Sequence, residues 1–278
     1  MPRLIILGSG TPVPTPKRWG TSFLLQLEDD WLMVDCGPGS TYKMHQMGLA
    51  TTHINHLFFT HYHSDHIADY PCFLMTRFDQ SIGLEKDLNV YGPPPIKNIT
   101  EGLWSKERGV FWLDVVARTQ HPMSLAVYHS RGGASSRPEP VVHVHEYKAG
   151  KIAGGKNWDC YAYEVEHAQP YLECYGLRFE SAEGIIAFSG DAAPTDVLVD
   201  LARNADLFVM AAMGRQTIRG EAVGVRMAQD AGVRRLVVSH QSPTLTSSND
   251  VINDAIYDIK RVFTGPVYWG KDMMEITW

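Results

Sequence analysis

The sequence predicts an α/β fold in which two β-sheets pack face to face between outer layers of helix, as one domain over residues 1–278. Three observations lead there. Short apolar runs bounded by turn-forming residues recur along the chain, so strands are many. The strands fall into two groups, each accompanied by helical stretches, and no linker-like segment separates them. Hydrophobic residues make up 44% of the 278 positions and charged residues 20%, ample core for a soluble globular protein.

Leu4–Leu7 is a short strand that stops at Gly8-Ser9-Gly10-Thr11-Pro12. Ser22–Leu27 and Trp31–Val34 make a hairpin across an acidic turn. The second of them runs into Asp35-Cys36-Gly37-Pro38-Gly39, and a helix follows through Gln46. Ile54–Phe59 leads into segment 60–66 and a helix over about Ile67–Phe78, and Asp87–Tyr91 ends at Gly92-Pro93-Pro94-Pro95. Residues 96–140 lack a clear period and read as an irregular arm or insertion over the core. Trp104, Phe111, Trp112 and Tyr128 are expected mainly to pack it down. Strands resume at Val141–Tyr147, Trp158–Val165, Leu172–Glu180 and Ile185–Ser189. Two β-α units follow: Leu207–Met210 with a helix over about Glu221–Asp230, then Arg235–Ser239 with a helix over Val251–Phe263. Asp250 is the expected N-cap of the latter, and Gly265 its stop. Val267–Trp269 is the last strand.

The formal net charge of −6 gives no global attraction for a polyanion, which disfavours nucleic acid as a partner. Cys36, Cys72, Cys160 and Cys174 lie far apart with no C-x-x-C pair, as expected of buried thiols in a reducing compartment. The N-terminal apolar run is too short for a secretory signal, and no run approaches ~18 apolar residues. A cytoplasmic protein without a membrane span is the expectation.

The densest chemistry is Thr60-His61-Tyr62-His63-Ser64-Asp65-His66, directly after an apolar strand. Three imidazoles and a carboxylate projected from a strand end into one small volume are what a borderline-soft divalent ion requires. Three further polar residues terminate apolar strands: His167, Asp191 and His240. They supply a third imidazole for one ion, a third for another, and a carboxylate able to bridge the two.

In order, Asp35, His61-x-His63-x-Asp65-His66, His167, Asp191 and His240 resemble the five motifs of the metallo-β-lactamase superfamily. The segments Leu7–Pro12, Tyr91–Pro94 and Ala231–His240 resemble its ribonuclease Z-like branch, and the match spans nearly the whole chain. This resemblance implies a four-layer αββα sandwich with a dinuclear centre at the sheet edges. It gives His61, His63 and His167 to one ion and Asp65, His66 and His240 to the other. Asp191 bridges, and Asp35 orients the ligands by hydrogen bonds. Two divalent ions are implied, zinc first, with manganese or iron as alternatives, and the protein is expected to form a homodimer.

Ser64 stands where oxygen-reducing members resemble H-x-E-x-D with an iron-binding glutamate, so it points to hydrolysis. The expected activity is attack by a metal-bound hydroxide on a small-molecule ester, lactone, phosphodiester, sulfate ester or activated aryl substrate, with Asp65 as the proton acceptor. A ribonuclease Z-type endonuclease acting on precursor tRNA is the first alternative. It ranks lower because that family's His-Glu-Ala-Thr and His-Ser-Thr segments are replaced by Phe208–Met213 and Arg215–Gly220, which lack the acid and the histidine. Arg215 or Arg219 would be free to hold an anionic group of a smaller substrate, or simply to sit in solvent. A non-catalytic metal-binding protein is the second alternative. His143 and His145 form an H-x-H without a following Asp-His and are expected at the surface or across a strand pair. His53 and His56 are expected to be structural, and His121 and His129 lie in the arm.

Overall fold

The computed structural model describes residues 1–134, 136–212 and 223–278. One sheet contains β1 (Arg3–Gly8), β2 (Ser22–Leu27), β3 (Asp30–Val34), β4 (Ile54–Phe58), β5 (Leu88–Gly92), β6 (Val142–Glu146) and β14 (Met274–Thr277). The other contains β7 (Gly150–Gly154), β8 (Trp158–Glu164), β9 (Tyr175–Ser181), β10 (Gly184–Phe188), β11 (Leu207–Ala211), β12 (Leu236–Ser239) and β13 (Val267–Trp269). Their orders are β14-β1-β2-β3-β4-β5-β6 and β13-β12-β11-β10-β9-β8-β7. Strands β3 to β6 run parallel, as do β10 to β13, so each sheet aims a set of carboxyl ends at the same border of the sandwich.

Inner strands such as β1 and β12 are apolar on both faces because both faces are covered. In β1, Leu4 and Ile6 enter the core between the sheets, while Ile5 and Leu7 enter the core beneath one helical layer. In β12, Val237 faces the other sheet, and Leu236 and Val238 face the second helical layer. Period-two alternation between two apolar cores fixes the register, since a one-residue slip would exchange the faces. The inter-sheet core is rich in rings; Phe58 stacks on Tyr91 at 4.6 Å and meets Phe179 edge-on at 5.1 Å. Two sheets flanked by helices give the αββα arrangement expected from sequence.

Residues 96–140 are more regular than their sequence pattern. They carry α4 (Ile96–Trp104), α5 (Trp112–Gln120) and α6 (Pro122–Ser130). Trp104 and Tyr128 are buried, and Phe111 and Trp112 pack against the same core as Phe73 and Phe78. Each of these helices has nine residues, too short to register as a sustained period. The helix expected over 67–78 begins earlier and is broken into Ser64–Ile67 and Tyr70–Gln80. The helix Asn249–Lys260 is capped by Ser248, whose Oγ accepts from Val251 N, so Asp250 is not the cap but lies in the first turn. Strands β7 and β14 and the helix Val197–Ala202 had no expectation from sequence. Cys36, Cys160 and Cys174 are buried free thiols, and Cys72 is partly buried. No helix among the described residues is long and apolar enough to cross a membrane.

Candidate metal centre

Every candidate ligand sits just past the end of a strand. His61 to His66 follow β4, His167 follows β8, Asp191 follows β10, His240 follows β12, and Asp35 follows β3. Tight backbone turns make this convergence possible. Asp35 and His240 adopt φ of 57° and 52°, a left-handed conformation that non-glycine residues seldom hold without a reason. Gly190, just before Asp191, has φ 56°, and a Cβ there would lie 2.7 Å from the Tyr175 carbonyl oxygen. Gly37 is demanded by space, since its Cβ would meet the Asp65 carbonyl oxygen at 2.1 Å.

Two groups of four result, and within each the ligand atoms all lie within 4.8 Å of one another. The first gathers His61, His63, His167 and Asp191; the second gathers Asp65, His66, Asp191 and His240. In the first, His63 Nδ1 is 3.1 Å from His61 Nε2 and 3.0 Å from His167 Nε2. In the second, His240 Nε2 is 3.1 Å from both Asp65 Oδ2 and Asp191 Oδ2. Asp191 reaches both groups. Its Oδ2 lies 3.7 Å from His61 Nε2 and 3.6 Å from His167 Nε2, while Oδ1 lies 3.3 Å from His66 Nε2. Sequence proposed these seven residues as one set, and the fold brings all seven together.

Asp35 does not face the cluster directly. Its carboxylate accepts from Thr60 N at 2.8 Å, from Thr60 Oγ1 at 2.9 Å, and from His66 Nδ1 at 2.8 Å. Thr60 Oγ1 lies 3.0 Å from His61 Nδ1. One buried carboxylate therefore fixes two rings: His66 directly, and His61 through a hydroxyl that donates to Asp35 and accepts from the imidazole. Each ring is left with its Nε2 turned inward. Thr60 is the residue that sequence reasoning passed over; its only signal is its place immediately before His61.

Burial pushes the Asp35 carboxyl upward, and His66 and Thr60 oppose that. Burial lowers His61 to about 2, and His66 adds to the effect. Burial, the largest single influence, would lower His240 and His66, but Asp191 with Asp65 at the one and Asp191 with Asp35 at the other together outweigh it. His240 stands at about 9, and His66, helped by Asp35, is held well above its ordinary value. The Asp191 carboxyl is held well below the usual range despite its burial, because His66 and His240 face it.

Divalent cations fit these residues. The donors are imidazole nitrogens and carboxylate oxygens, the set suited to zinc and its neighbours. Buried and without a hydrogen-bond partner are His66 Nε2, Asp191 Oδ1, Asp65 Oδ1 and His240 Nδ1, of which the first two point into the second group. Orphaned polar atoms at this depth are costly unless something coordinates them.

The remaining histidines lie elsewhere. His143 Nε2 pairs with Asp87 across the β5–β6 ladder, and His145 contacts Asn89 and stacks on Tyr91. His56 packs edge-on against Trp158, and His53 contacts Ala50. His129 bonds the Gly133 carbonyl, and His121 is exposed at the start of α6. Arg215 and Arg219, the candidate anion-holding residues, lie outside the described residues.

Known proteins align with this chain along nearly its full length. Ribonuclease Z of Mycobacterium sp. (strain KMS) is 27% identical over 269 residues, covering 90% of this chain and 87% of that protein. Ribonuclease Z of Mycobacterium bovis is 25% identical over 296 residues, covering 99% and 98%. The family described as Anti-Pycsar protein Apyc1 matches residues 2–111. Among solved structures, the metallo-β-lactamase fold protein YhfI from Bacillus subtilis superimposes with a TM-score of 0.71 at 18% identity, covering 99% of this chain and 98% of that one. The short form of human tRNase Z gives a TM-score of 0.69 at 20% identity with the same coverage, and these two structures share the fold. With the ordered His and Asp motifs and the two seven-stranded sheets, the chain has the metallo-β-lactamase fold and is similar along nearly its whole length to proteins named ribonuclease Z.

Proposed function

We propose that this chain is a metal-dependent hydrolase of phosphodiester bonds that works with two divalent cations, zinc first among the candidates. The observation that carries the reading is Asp191, whose two carboxylate oxygens serve two ligand groups of three further residues each. His61, His63 and His167 would hold one ion, and Asp65, His66 and His240 the other. Cations held there supply Lewis-acid polarisation of a phosphoryl oxygen and bring the ionisation of water from 15.7 down to near 7. Everything else is done by the chain. Asp35 and Thr60 hold the rings of His66 and His61 in the tautomer that turns Nε2 inward. Asp65 commits Oδ2 to His240 and leaves Oδ1 without a hydrogen bond, so it is placed to take a proton from attacking water.

The relatives named ribonuclease Z support RNA as the substrate, with precursor tRNA as the specific form. They bring this reading above the place that composition alone gave it. One observation favours a smaller substrate, whether a phosphodiester or another of the ester classes. The open groove beside His167 is lined by Glu164, Glu166, Gln169, Thr195 and Val197, and its exposed carboxylates repel a polyanion.

Both are tested by loading the protein with zinc or manganese. Precursor tRNA is then offered beside bis(p-nitrophenyl) phosphate, with p-nitrophenyl esters and sulfates as comparators. Cleavage of the phosphodiesters, abolished by a chelator and restored by metal, is the expected result. Cleavage of precursor tRNA that weakens steeply with salt selects the RNA reading, whereas turnover confined to small substrates selects the other. Hydrolysis that persists in metal-stripped protein would overturn the proposal.

A further inference from the structure

We propose that Gln169 is a positioning residue for the first ligand group: its side-chain amide bridges the backbone on both sides of the turn that delivers His167. Gln169 is exposed, yet its side chain folds back onto the chain. Its Nε2 donates to the Val165 carbonyl at 2.7 Å, and its Oε1 accepts from the His167 amide at 2.8 Å. Upstream of this turn the chain is anchored. Val165 N donates to the Cys174 carbonyl, and the Glu166 carbonyl accepts from Ala193 N at 2.7 Å, two residues past Asp191. From His167 onward the turn leaves both of those supports, and the amide of Gln169 takes over.

His167 needs this support more than its neighbours do. The ring of His66 is fixed by Asp35, and that of His61 by Thr60. The Nδ1 of His167 makes no hydrogen bond among the described residues, and its Nε2 faces only His63 and Asp191. Among the described residues the ring touches only other members of the ligand set, and no residue outside that set orients it. Its direction must come from the backbone, and Gln169 carries both side-chain hydrogen bonds that fix it. An exposed glutamine with no packing duty, spending donor and acceptor on one turn, is best explained by the residue that the turn presents.

This inference rests on the reading of the centre as a metal site, so its test measures metal uptake directly. Full-length metal-free protein is titrated with Zn²⁺ against a competing chelator, for the wild type and for Gln169→Met, Gln169→Ala and Gln169→Glu. Methionine keeps the length of the side chain and removes both hydrogen bonds. One of two equivalents should bind Gln169→Met roughly 10–100-fold more weakly. The other should hold its affinity, and the melting temperature of the metal-free protein should stay that of the wild type. Gln169→Ala should match Gln169→Met, and Gln169→Glu, which keeps an acceptor for the His167 amide, should recover part of the loss. Unchanged affinity for both equivalents in Gln169→Met overturns the role of Gln169 while leaving the centre intact. Equal weakening of both, with a lowered metal-free melting temperature, also overturns it, because that marks a general fold defect. A wild type that takes up no zinc overturns this inference together with the reading of the centre.

Discussion

The two ligand groups share Asp191 but are built on opposite electrostatic terms. In the first, burial favours the neutral ring: it drives His61 to about 2 and lowers His167 as well, and Asp191 offsets only part of that. In the second, the carboxylates together override burial: Asp191 with Asp65 sets His240 at about 9, and Asp191 with Asp35 holds His66 well above its ordinary value. The first group thus presents bare lone pairs, ready for a cation. The second balances its carboxylates with protons that a cation must displace. Asp191 leans toward the second, since its contacts of 3.1 and 3.3 Å to His240 and His66 are shorter than those of 3.7 and 3.6 Å to His61 and His167.

The harshest way to break this comparison is to remove the residue common to both halves. Asp191→Ala should lose both metal equivalents and should lower phosphodiester hydrolysis by more than the roughly 100-fold that loss of an outer hydrogen-bond partner costs. Metal content of the purified variant, set beside its turnover, is the measurement. Retention of two equivalents would show that Asp191 is not shared.

A gentler cut separates the halves. His167→Ala should lose one equivalent and keep the other, and His240→Ala should do the reverse, each with turnover reduced. Metal analysis after dialysis against a weak chelator distinguishes the pair. If either substitution empties both halves, they are one site and the contrast between them fails. Asp35→Asn keeps the shape of the side chain but removes the charge that orients His66 directly and His61 through Thr60. It should weaken both equivalents, each by roughly 10–100-fold, where a partner serving one half would weaken one.

Much of this was legible in sequence, for a physical reason. Strands buried on both faces must be apolar throughout, so β1, β10 and β12 stand out as continuous runs, with β4 apolar at its carboxyl end, and the polar residues that follow each are easy to single out. That rule finds His61, Asp191 and His240 without any knowledge of how the sheets meet. It fails for β7 and β14, edge strands whose registers pair them with residues far along the chain or which carry few large apolar side chains. It fails also for the helices of 96–120, whose short amphipathic segments acquire meaning only against the core they cover. Thr60 and Gln169 were passed over for a third reason. Their work is hydrogen bonding to a neighbour's backbone or ring, and neither period nor composition records that.

The smallest expected effect is also the sharpest test of the electrostatic contrast, because it needs no catalysis. His240 has a folded value of about 9 in the metal-free protein, against an ordinary 6.5. A raised value means that its contribution to stability is fully present below pH 6.5 and is lost as pH rises through about 9. His61, depressed to about 2, acts in the other direction: its contribution is present above 6.5 and declines as pH falls below that. The metal-free melting temperature should therefore fall between pH 6.5 and 9 on account of His240, and His240→Gln should flatten that fall while leaving the acid limb unchanged. Zinc binding at pH 7.5 should release protons from the second half, and His240→Gln, which empties that half, should lose this release, read by calorimetry in buffers of different ionisation enthalpy. His167→Gln, drawn from the half where burial keeps His61 and His167 neutral, should release the same number per zinc bound at the remaining site. Equal proton release per zinc from both variants would mean that the two halves do not differ in the way their surroundings imply.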